Sequence, residues 1–191
     1  MVDLPADRVI QSAPFTYTDV DLFGPFVIKN RRKLLKGYGI LFTCCMSRAI
    51  HIETSESLET DSYILALRRF IARRGHVRLL RCDNGTNFVG ARNELLSATK
   101  EMDATKVKNF LLDHGTHWMH WKFNPPYASH MGGLWERQIR TVRSVLETLL
   151  KNHGDRLDNE SFRTFMTEAE SIVNSRPLSL SYETIYDVTG P

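Results

Sequence analysis

The chain has 191 residues, of which 42% are hydrophobic and 25% charged, a composition typical of one ordinary globular domain. Its net charge of +3 is too small to indicate a nucleic-acid-binding protein by itself. The sequence has no run of about 18 apolar residues, and charged residues near its start argue against a secretory signal. Three cysteines without CxxC spacing exclude a disulfide framework and a four-thiolate zinc site, so we expect an intracellular protein in a reducing compartment.

The chain is predicted to form one compact domain over residues 15–176, with a leading segment over 1–14 and a tail over 177–191. Its first part is rich in β-forming residues. Short runs predict a three-stranded meander of Phe15–Phe23, Gly37–Cys45 and Ala49–Glu53. Gly24-Pro25 is expected to close the first of these strands.

The rest of the chain alternates between helical and strand patterns. Apolar residues at helical spacing predict five helices, over Thr60–Arg74, Phe88–Thr99, Thr105–His114, Leu134–Asn152 and Asn159–Ser175. Val77–Cys82 and Trp118–Phe123 predict two further strands. This order of elements predicts an α/β fold with a mixed sheet. The arginines of the first helix are expected on its solvated outer face.

Three acidic residues lie where local structure alone does not require them. Asp21 lies within a predicted strand, Asp83 follows an apolar strand, and Glu136 begins an amphipathic helix. Taken singly, each has an ordinary explanation: a strand residue that faces water, turn chemistry, and compensation of the helix dipole. Taken together, they match the need of two divalent cations about 3.5–4 Å apart for converging carboxylate oxygens. Without a cation their mutual repulsion would raise their pKa values, so the three acids predict a metal site.

Three stretches surround these acids and extend the pattern. They are Thr18–Phe26 (TDVDLFGPF), Cys82–Phe88 (CDNGTNF) and Phe123–Arg137 (FNPPYASHMGGLWER). In their order along the chain they resemble the catalytic core of retroelement integrases, most closely the BEL/Pao class of LTR retrotransposons. Asp3–Arg8 and Asn174–Leu178 resemble the same class. The resemblance implies an RNase H-like fold, in which helices flank a mixed five-stranded sheet.

The resemblance also implies an activity, namely two-metal-ion processing of DNA 3′ ends and strand transfer that inserts element DNA into host DNA. Asp21, Asp83 and Glu136 would form the catalytic D,D,E triad and hold two Mg²⁺ or Mn²⁺ ions. The residues implied in DNA binding are Asn84, Asn87, His130, Arg137, Arg140 and Arg143. The implied partners are double-stranded DNA and further copies of the chain, in the nucleus after a cytoplasmic stage.

The sequence departs from the retroviral pattern at three places. Fifty-two residues separate Asp83 from Glu136, a longer interval than retroviral integrases have. Gly132-Gly133 replaces the retroviral Gln-Gly, so the DNA contacts of that glutamine do not carry over. Asp19 stands where the class more often has glycine, and we interpret it as a strand-face residue in preference to a spare metal ligand.

The sequence leaves two alternative functions open. An RNA–DNA hybrid nuclease of the same fold would usually take a carboxylate from the first helix, where the chain offers only Asp61. A domesticated, non-catalytic DNA-binding or interaction module would have no reason to bring three repelling acids together. For Arg140 and Arg143, pairing with Glu136 and Glu147 at i,i+4 spacing competes evenly with phosphate contact.

Overall fold

The computed structural model of the protein describes residues 12–82, 101–113, 120–123, 133–153 and 157–175. Its strands are β1 (Tyr17–Asn30), β2 (Lys33–Cys44), β3 (Ile50–Ser55), β4 (Leu79–Cys82) and β5 (His120–Phe123). The helices in these ranges are α1 (Thr60–Arg74), α2 (Ala104–Asp113), α3 (Gly133–His153) and α4 (Asn159–Asn174). The predicted mixed α/β class is confirmed. The helix predicted over Phe88–Thr99 lies outside the described residues, as do residues 1–11 and 176–191.

The strands form one mixed sheet in the order β3-β2-β1-β4-β5. The first three strands make the predicted antiparallel meander. β4 then pairs with β1 in the parallel sense, and β5 pairs with β4 in the same sense. A parallel return needs a crossover connection, which α1 supplies between β3 and β4. β1 therefore lies at the centre of the sheet.

β1 does not end at Gly24-Pro25, so the predicted end of this strand was wrong. A β-bulge between Phe23 and Phe26 takes Gly24 and Pro25 out of the regular ladder with β2, and pairing resumes at Phe26 opposite Gly37. Gly24 has a φ of 122°, which glycine adopts without strain, and a bulged proline loses no ladder hydrogen bond. The two residues that usually end a strand are thus tolerated inside this one.

Helices cover both faces of the sheet. On one face, the ring of Phe70 from α1 stacks on Phe42 of β2 with centroids 4.0 Å apart. On the other face, Phe162 of α4 contacts Phe26 with centroids 5.2 Å apart. Gly37 of β2 has to be a glycine in this packing, because a Cβ at its position would lie 2.1 Å from Cδ1 of Ile28 and clash with it. No helix of the described ranges has the length and apolar character to cross a membrane.

Candidate active site

The central strand carries two buried carboxylates. Asp19 and Asp21 are each only 6% exposed, and because they are two residues apart they share one face of β1. They lie opposite Thr43 and Leu41 of β2. Oδ1 of Asp21 accepts a hydrogen bond from the backbone N–H of Leu22 at 2.7 Å. Because Asp21 is buried, it is not a strand residue that faces water, which was the ordinary explanation for an aspartate at this position.

β4 brings its carboxyl end to the level of Asp21. In the parallel ladder, Tyr17 pairs with Leu79 and Val20 pairs with Cys82. β4 ends at Cys82, as the sequence predicted, and Asp83 is the next residue of the chain. The described residues therefore pair the position before Asp21 with the position before Asp83.

α3 packs against β2 and against α4. The helix begins at Gly133, so position 136 lies in its first turn. Arg143 follows seven residues later, which is two helical turns, so positions 136 and 143 share one face of α3. Burial lowers the pKa of the half-buried Arg143, while the negative charges of Glu147 and Asp21 act to raise it. The guanidinium of Arg143 thus lies in the field of the Asp21 carboxylate.

The structure describes the other predicted site residues only in part. Asp83, Asn84, Asn87 and His130 lie outside the described residues, and for Glu136 only the backbone is described. Arg137 and Arg140 are exposed on α3. Among the side chains that the structure describes, no three His, Cys, Asp or Glu residues form a cluster that could hold a metal ion. The attraction between Arg143 and Glu147 agrees with the i,i+4 pairing that the sequence left open.

A buried charged network at the edge of the sheet was not predicted. His51 and Glu53 of β3 are 2% and 4% exposed, and Nε2 of His51 lies 2.9 Å from Oε1 of Glu53. Nδ1 of His51 lies 3.1 Å from Oε2 of Glu170 on α4. Burial acts to lower the pKa of His51, but the hydrogen bonds and charges of Glu170 and Glu53 outweigh it and raise that pKa. The imidazole therefore links the strand to the helix.

Three arginines of α1 belong to this network. Nε of Arg69 donates to Oε2 of Glu53 at 2.6 Å, and Nη1 of Arg73 donates to Oε1 of Glu53 at 3.3 Å. Arg74 pairs with Glu170 and lies over the ring of Phe15. Arg73 and Arg74 are exposed, as predicted for the arginines of this helix, but all three side chains also bind acids on β3 and α4. Helical periodicity cannot reveal these partners, because they lie on other elements.

α4 also satisfies the outer edge of β3. Oε2 of Glu170 accepts the N–H of Ile52 at 2.9 Å. The amide of Asn174 accepts the N–H of Ile50 at 2.8 Å and donates to its carbonyl at 2.9 Å. An unpaired strand edge would otherwise invite pairing with another chain. Asn174 stands in a stretch that the sequence singled out only by resemblance, and no local signal predicted this contact.

Sheet order, the crossover helix and the helices on both faces define a mixed α/β domain, and its fold resembles those of retroviral integrase catalytic cores. The chain is similar to the HTLV-2 integrase catalytic core domain in complex with magnesium in its trimeric form, with a TM-score of 0.57 and 14% identity over 88% of this chain and 90% of that one. It is similar to the catalytic core domain of BIV integrase with a TM-score of 0.56 and 15% identity, over 87% and 88% of the two chains.

A third similar structure is the simian T-cell lymphotropic virus intasome in complex with the PP2A regulatory subunit B56 gamma. The TM-score is 0.56 and the identity 15%, and the match covers 90% of this chain but 52% of that one. The chain therefore spans about half the length of that relative. Family models and curated protein sequences gave no match. At these identities the likeness establishes the fold.

Proposed function

We propose that the protein is the catalytic core of a BEL/Pao-type retrotransposon integrase, which processes DNA 3′ ends and joins them to target DNA. One observation carries the proposal: Asp21 is buried on the central strand, beside a parallel strand that ends one residue before Asp83. A fold shared with the HTLV-2 and BIV integrase cores supports it. Two acids on adjacent parallel strands are a natural origin for a phosphoryl-transfer site.

The donor chemistry of the site fits a divalent cation. Buried carboxylates are costly unless hydrogen bonds or a cation compensate them, and their hard oxygens suit Mg²⁺ or Mn²⁺. Asp21, Asp83 and Glu136 would hold two such ions, and the related HTLV-2 core is a complex with magnesium. When bound, the ions would activate the attacking oxygen and stabilise the leaving 3′ oxygen.

The protein's own residues position the DNA. The hydrogen bond from the N–H of Leu22 holds the Asp21 carboxylate in one orientation. Arg143, in the field of Asp21, would donate to a phosphate oxygen and balance the negative charge of the acids. Arg137 and Arg140 would extend these contacts along α3, and Asn84, Asn87 and His130 would add further ones. Such contacts set the register of the DNA and carry little sequence information.

The proposal includes assembly and location. Insertion joins an element end to host DNA, so strand transfer takes place in the nucleus, after a cytoplasmic stage. Two ends must be held together for a complete insertion, which favours a homo-oligomer. The similar HTLV-2 cores are described in dimeric and trimeric forms.

One observation weighs against a hybrid nuclease of this fold. Asp61, the acid that α1 offers, has a side chain 73% exposed, and its Oδ1 lies 2.6 Å from Nζ of Lys106 on α2. This carboxylate already has a surface partner, whereas Asp19 and Asp21 are buried on β1. A nuclease site that uses Asp61 would have to break that ion pair.

A strand-transfer assay tests the proposal directly. The substrate is a duplex oligonucleotide that carries the terminal repeat flanking this reading frame, with Mg²⁺ or Mn²⁺ and a plasmid target. Asp21→Asn should abolish joining, and Asp61→Asn should leave it at the parental level. Cleavage of an RNA–DNA hybrid that depends on Asp61, without any joining of DNA, would favour the nuclease instead. DNA binding without either reaction would favour the non-catalytic module.

A further inference from the structure

The turn between β1 and β2 concentrates positive charge. Within residues 29–36 the sequence KNRRKLLK carries five cations, and the chain has no Asp or Glu between Asp21 and Glu53. The structure places these cations at the far end of a long antiparallel hairpin. All are exposed: Lys29, Arg31, Arg32, Lys33 and Lys36. We call residues 29–36 the basic tip.

Four of the five cations of the basic tip have no acidic partner among the described residues. In the ranges that the structure covers, no carboxylate forms an ion pair with Lys29, Arg31, Arg32 or Lys33. The arginines of α1 differ, since Arg69 and others are bound to Glu53 and Glu170. Four unpaired cations within five residues raise the local positive potential, which attracts a polyanion.

The basic tip is held in place by the backbone. Lys29 pairs with Leu34 and Asn30 with Lys33 across the ladder, and the N–H of Lys29 donates to the carbonyl of Leu157 at 2.7 Å. Arg31 has a φ of 54°, a left-handed conformation that favours Gly or Asn. An arginine at such a position is a local conflict of the kind that accompanies functional sites. Little ordering would be needed when a ligand binds.

Exposed apolar residues accompany the cations on the outward face of the hairpin. Val27 is 64% and Leu34 72% exposed, and Leu34 lies opposite Lys29. Ile28, by contrast, is buried on the other face. Apolar contact with the sugars and bases of a groove is the usual companion of phosphate contacts in a β-ribbon that binds duplex DNA.

β1 connects the basic tip to the candidate active site. Nine residues separate Asp21 from Asn30 on this strand. At about 3.3 Å per residue, and with one residue lost to the bulge, the distance along the strand is roughly 25–30 Å. At about 3.4 Å per base pair, that distance corresponds to about seven to nine base pairs of duplex.

We propose that the basic tip binds the phosphate backbone of the same DNA duplex that is processed at Asp21, about seven to nine base pairs from the reacting phosphodiester. The inference rests on the proposed function for its choice of duplex DNA. Charge complementarity, the exposed apolar residues and the position on β1 support it. It gives the chain a DNA contact that lies on an element other than α3.

The test compares two charge-matched triple variants. Arg31→Gln, Arg32→Gln and Lys33→Gln neutralise the basic tip, and Arg68→Gln, Arg78→Gln and Lys108→Gln remove the same charge from exposed positions elsewhere. The DNA is a duplex of about 30 base pairs, which is longer than the span from Asp21 to the basic tip. Its affinity is measured by fluorescence anisotropy across a salt series, without divalent metal. Each phosphate contact contributes about 0.9 to the slope of log affinity against log salt concentration. The tip variant should lose about 2 from that slope, and the control less than about 0.5.

Neutral methylphosphonates locate the contact on the DNA. Placed about seven to nine base pairs from the processed end, they should weaken binding of the parent and add no further loss in the tip variant. Arg31→Lys with Arg32→Lys keeps the charge and should keep the parental slope, which excludes an effect of misfolding. Equal slopes in the tip variant and the control would overturn the proposal. So would unchanged DNA binding together with lost binding to phosphatidylserine vesicles, which would make the basic tip a lipid contact.

Failure of the hairpin inference and failure of the proposed function give different results. Binding is measured without metal and needs no catalysis, so Asp21→Asn should retain the parental salt slope while it loses strand transfer. If Asp21→Asn keeps full strand transfer, the proposed site is wrong whatever the slopes are. If Asp21→Asn loses strand transfer but the tip variant keeps the parental slope, the hairpin inference alone is wrong.

Discussion

Arg143 on α3 lies in the electrostatic field of Asp21, a carboxylate buried on the central strand β1. The two residues are more than a hundred positions apart in the chain. Positions 136 and 143 are two turns apart, so position 136 lies on the face of α3 that carries Arg143. This relationship ties the helix to the strand at the point where the D,D,E hypothesis needs them together.

Replacement of Arg143 should weaken DNA binding. Arg143→Gln removes a guanidinium in position to donate to phosphate near Asp21, and a charge-assisted hydrogen bond contributes about 1.5–3 kcal/mol. We expect an affinity loss of at least about tenfold, measured by anisotropy at fixed salt. Lys151→Gln is the matched control, since Lys151 is exposed further along the same helix. An equal loss in the control would reduce Arg143 to a general surface charge.

Divalent metal should stabilise the protein through its acids. Saturating Mg²⁺ or Mn²⁺ stabilises by about 2.7 kcal/mol at a hundredfold excess over Kd, which raises Tm by about 2–4 °C for each kcal/mol. Asp21→Asn and Asp83→Asn should each abolish this shift. Differential scanning fluorimetry with and without metal makes the measurement, and a full shift in either variant contradicts the triad.

Asp19→Asn separates the two interpretations of Asp19. As a strand-face residue, Asp19 is not needed for the metal, so the variant should retain the metal-dependent rise in Tm. Loss of the shift would instead make Asp19 a ligand beside Asp21, with which it shares a face of β1. The basal Tm of the variant without metal serves as the reference in each case.

Stability should fall as pH rises above about 6.5 because of His51. Its pKa is raised in the folded protein, so its stabilisation is complete below its ordinary value of 6.5 and is lost as pH rises through the folded value. Each unit by which the pKa is raised corresponds to about 1.4 kcal/mol. Urea unfolding between about pH 5 and 9, a range that covers the titration of an imidazole, measures the free energy of unfolding. That free energy should decline with rising pH in the parent and not in His51→Gln.

The two glutamates of the network, Glu53 and Glu170, limit the stability of the protein at low pH. Burial acts to raise the pKa of Glu53 and of Glu170, but hydrogen bonds from His51 and ion pairs with arginines outweigh it and lower both. Their stabilisation is present above the ordinary value of 4.5 and is lost as pH falls through the folded values. The stability maximum should therefore lie between these limits, at about pH 5–6.5.

Removal of the side chains that cover the β3 edge should destabilise that strand. Asn174→Ala leaves the N–H and carbonyl of Ile50 without their described partner, at a cost of about 1–3 kcal/mol. Hydrogen exchange of the Ile50 amide should accelerate by about tenfold or more. Glu168→Ala, exposed on the same helix, is the control and should leave this exchange unchanged.

Local pattern was enough for much of this protein. Helical spacing of apolar residues predicted α1 over Thr60–Arg74 without error, and a short apolar run predicted the end of β4 at Cys82. These features depend on residues within a few positions of one another, so periodicity and turn chemistry contain them. The bulge in β1 was missed because Gly24-Pro25 ends a strand by local rules, and only the pairing that resumes at Gly37 continues it.

The sequence by itself determined most of the described elements, the α/β class and the choice of the three acids proposed for the site. Only the tertiary structure decided that β4 lies beside β1, that Asp19 and Asp21 are buried, and that α1 arginines bind Glu53. Such contacts join residues tens of positions apart. They form because many weak interactions across the sheet and its helices are satisfied at once, and no window of sequence contains both partners.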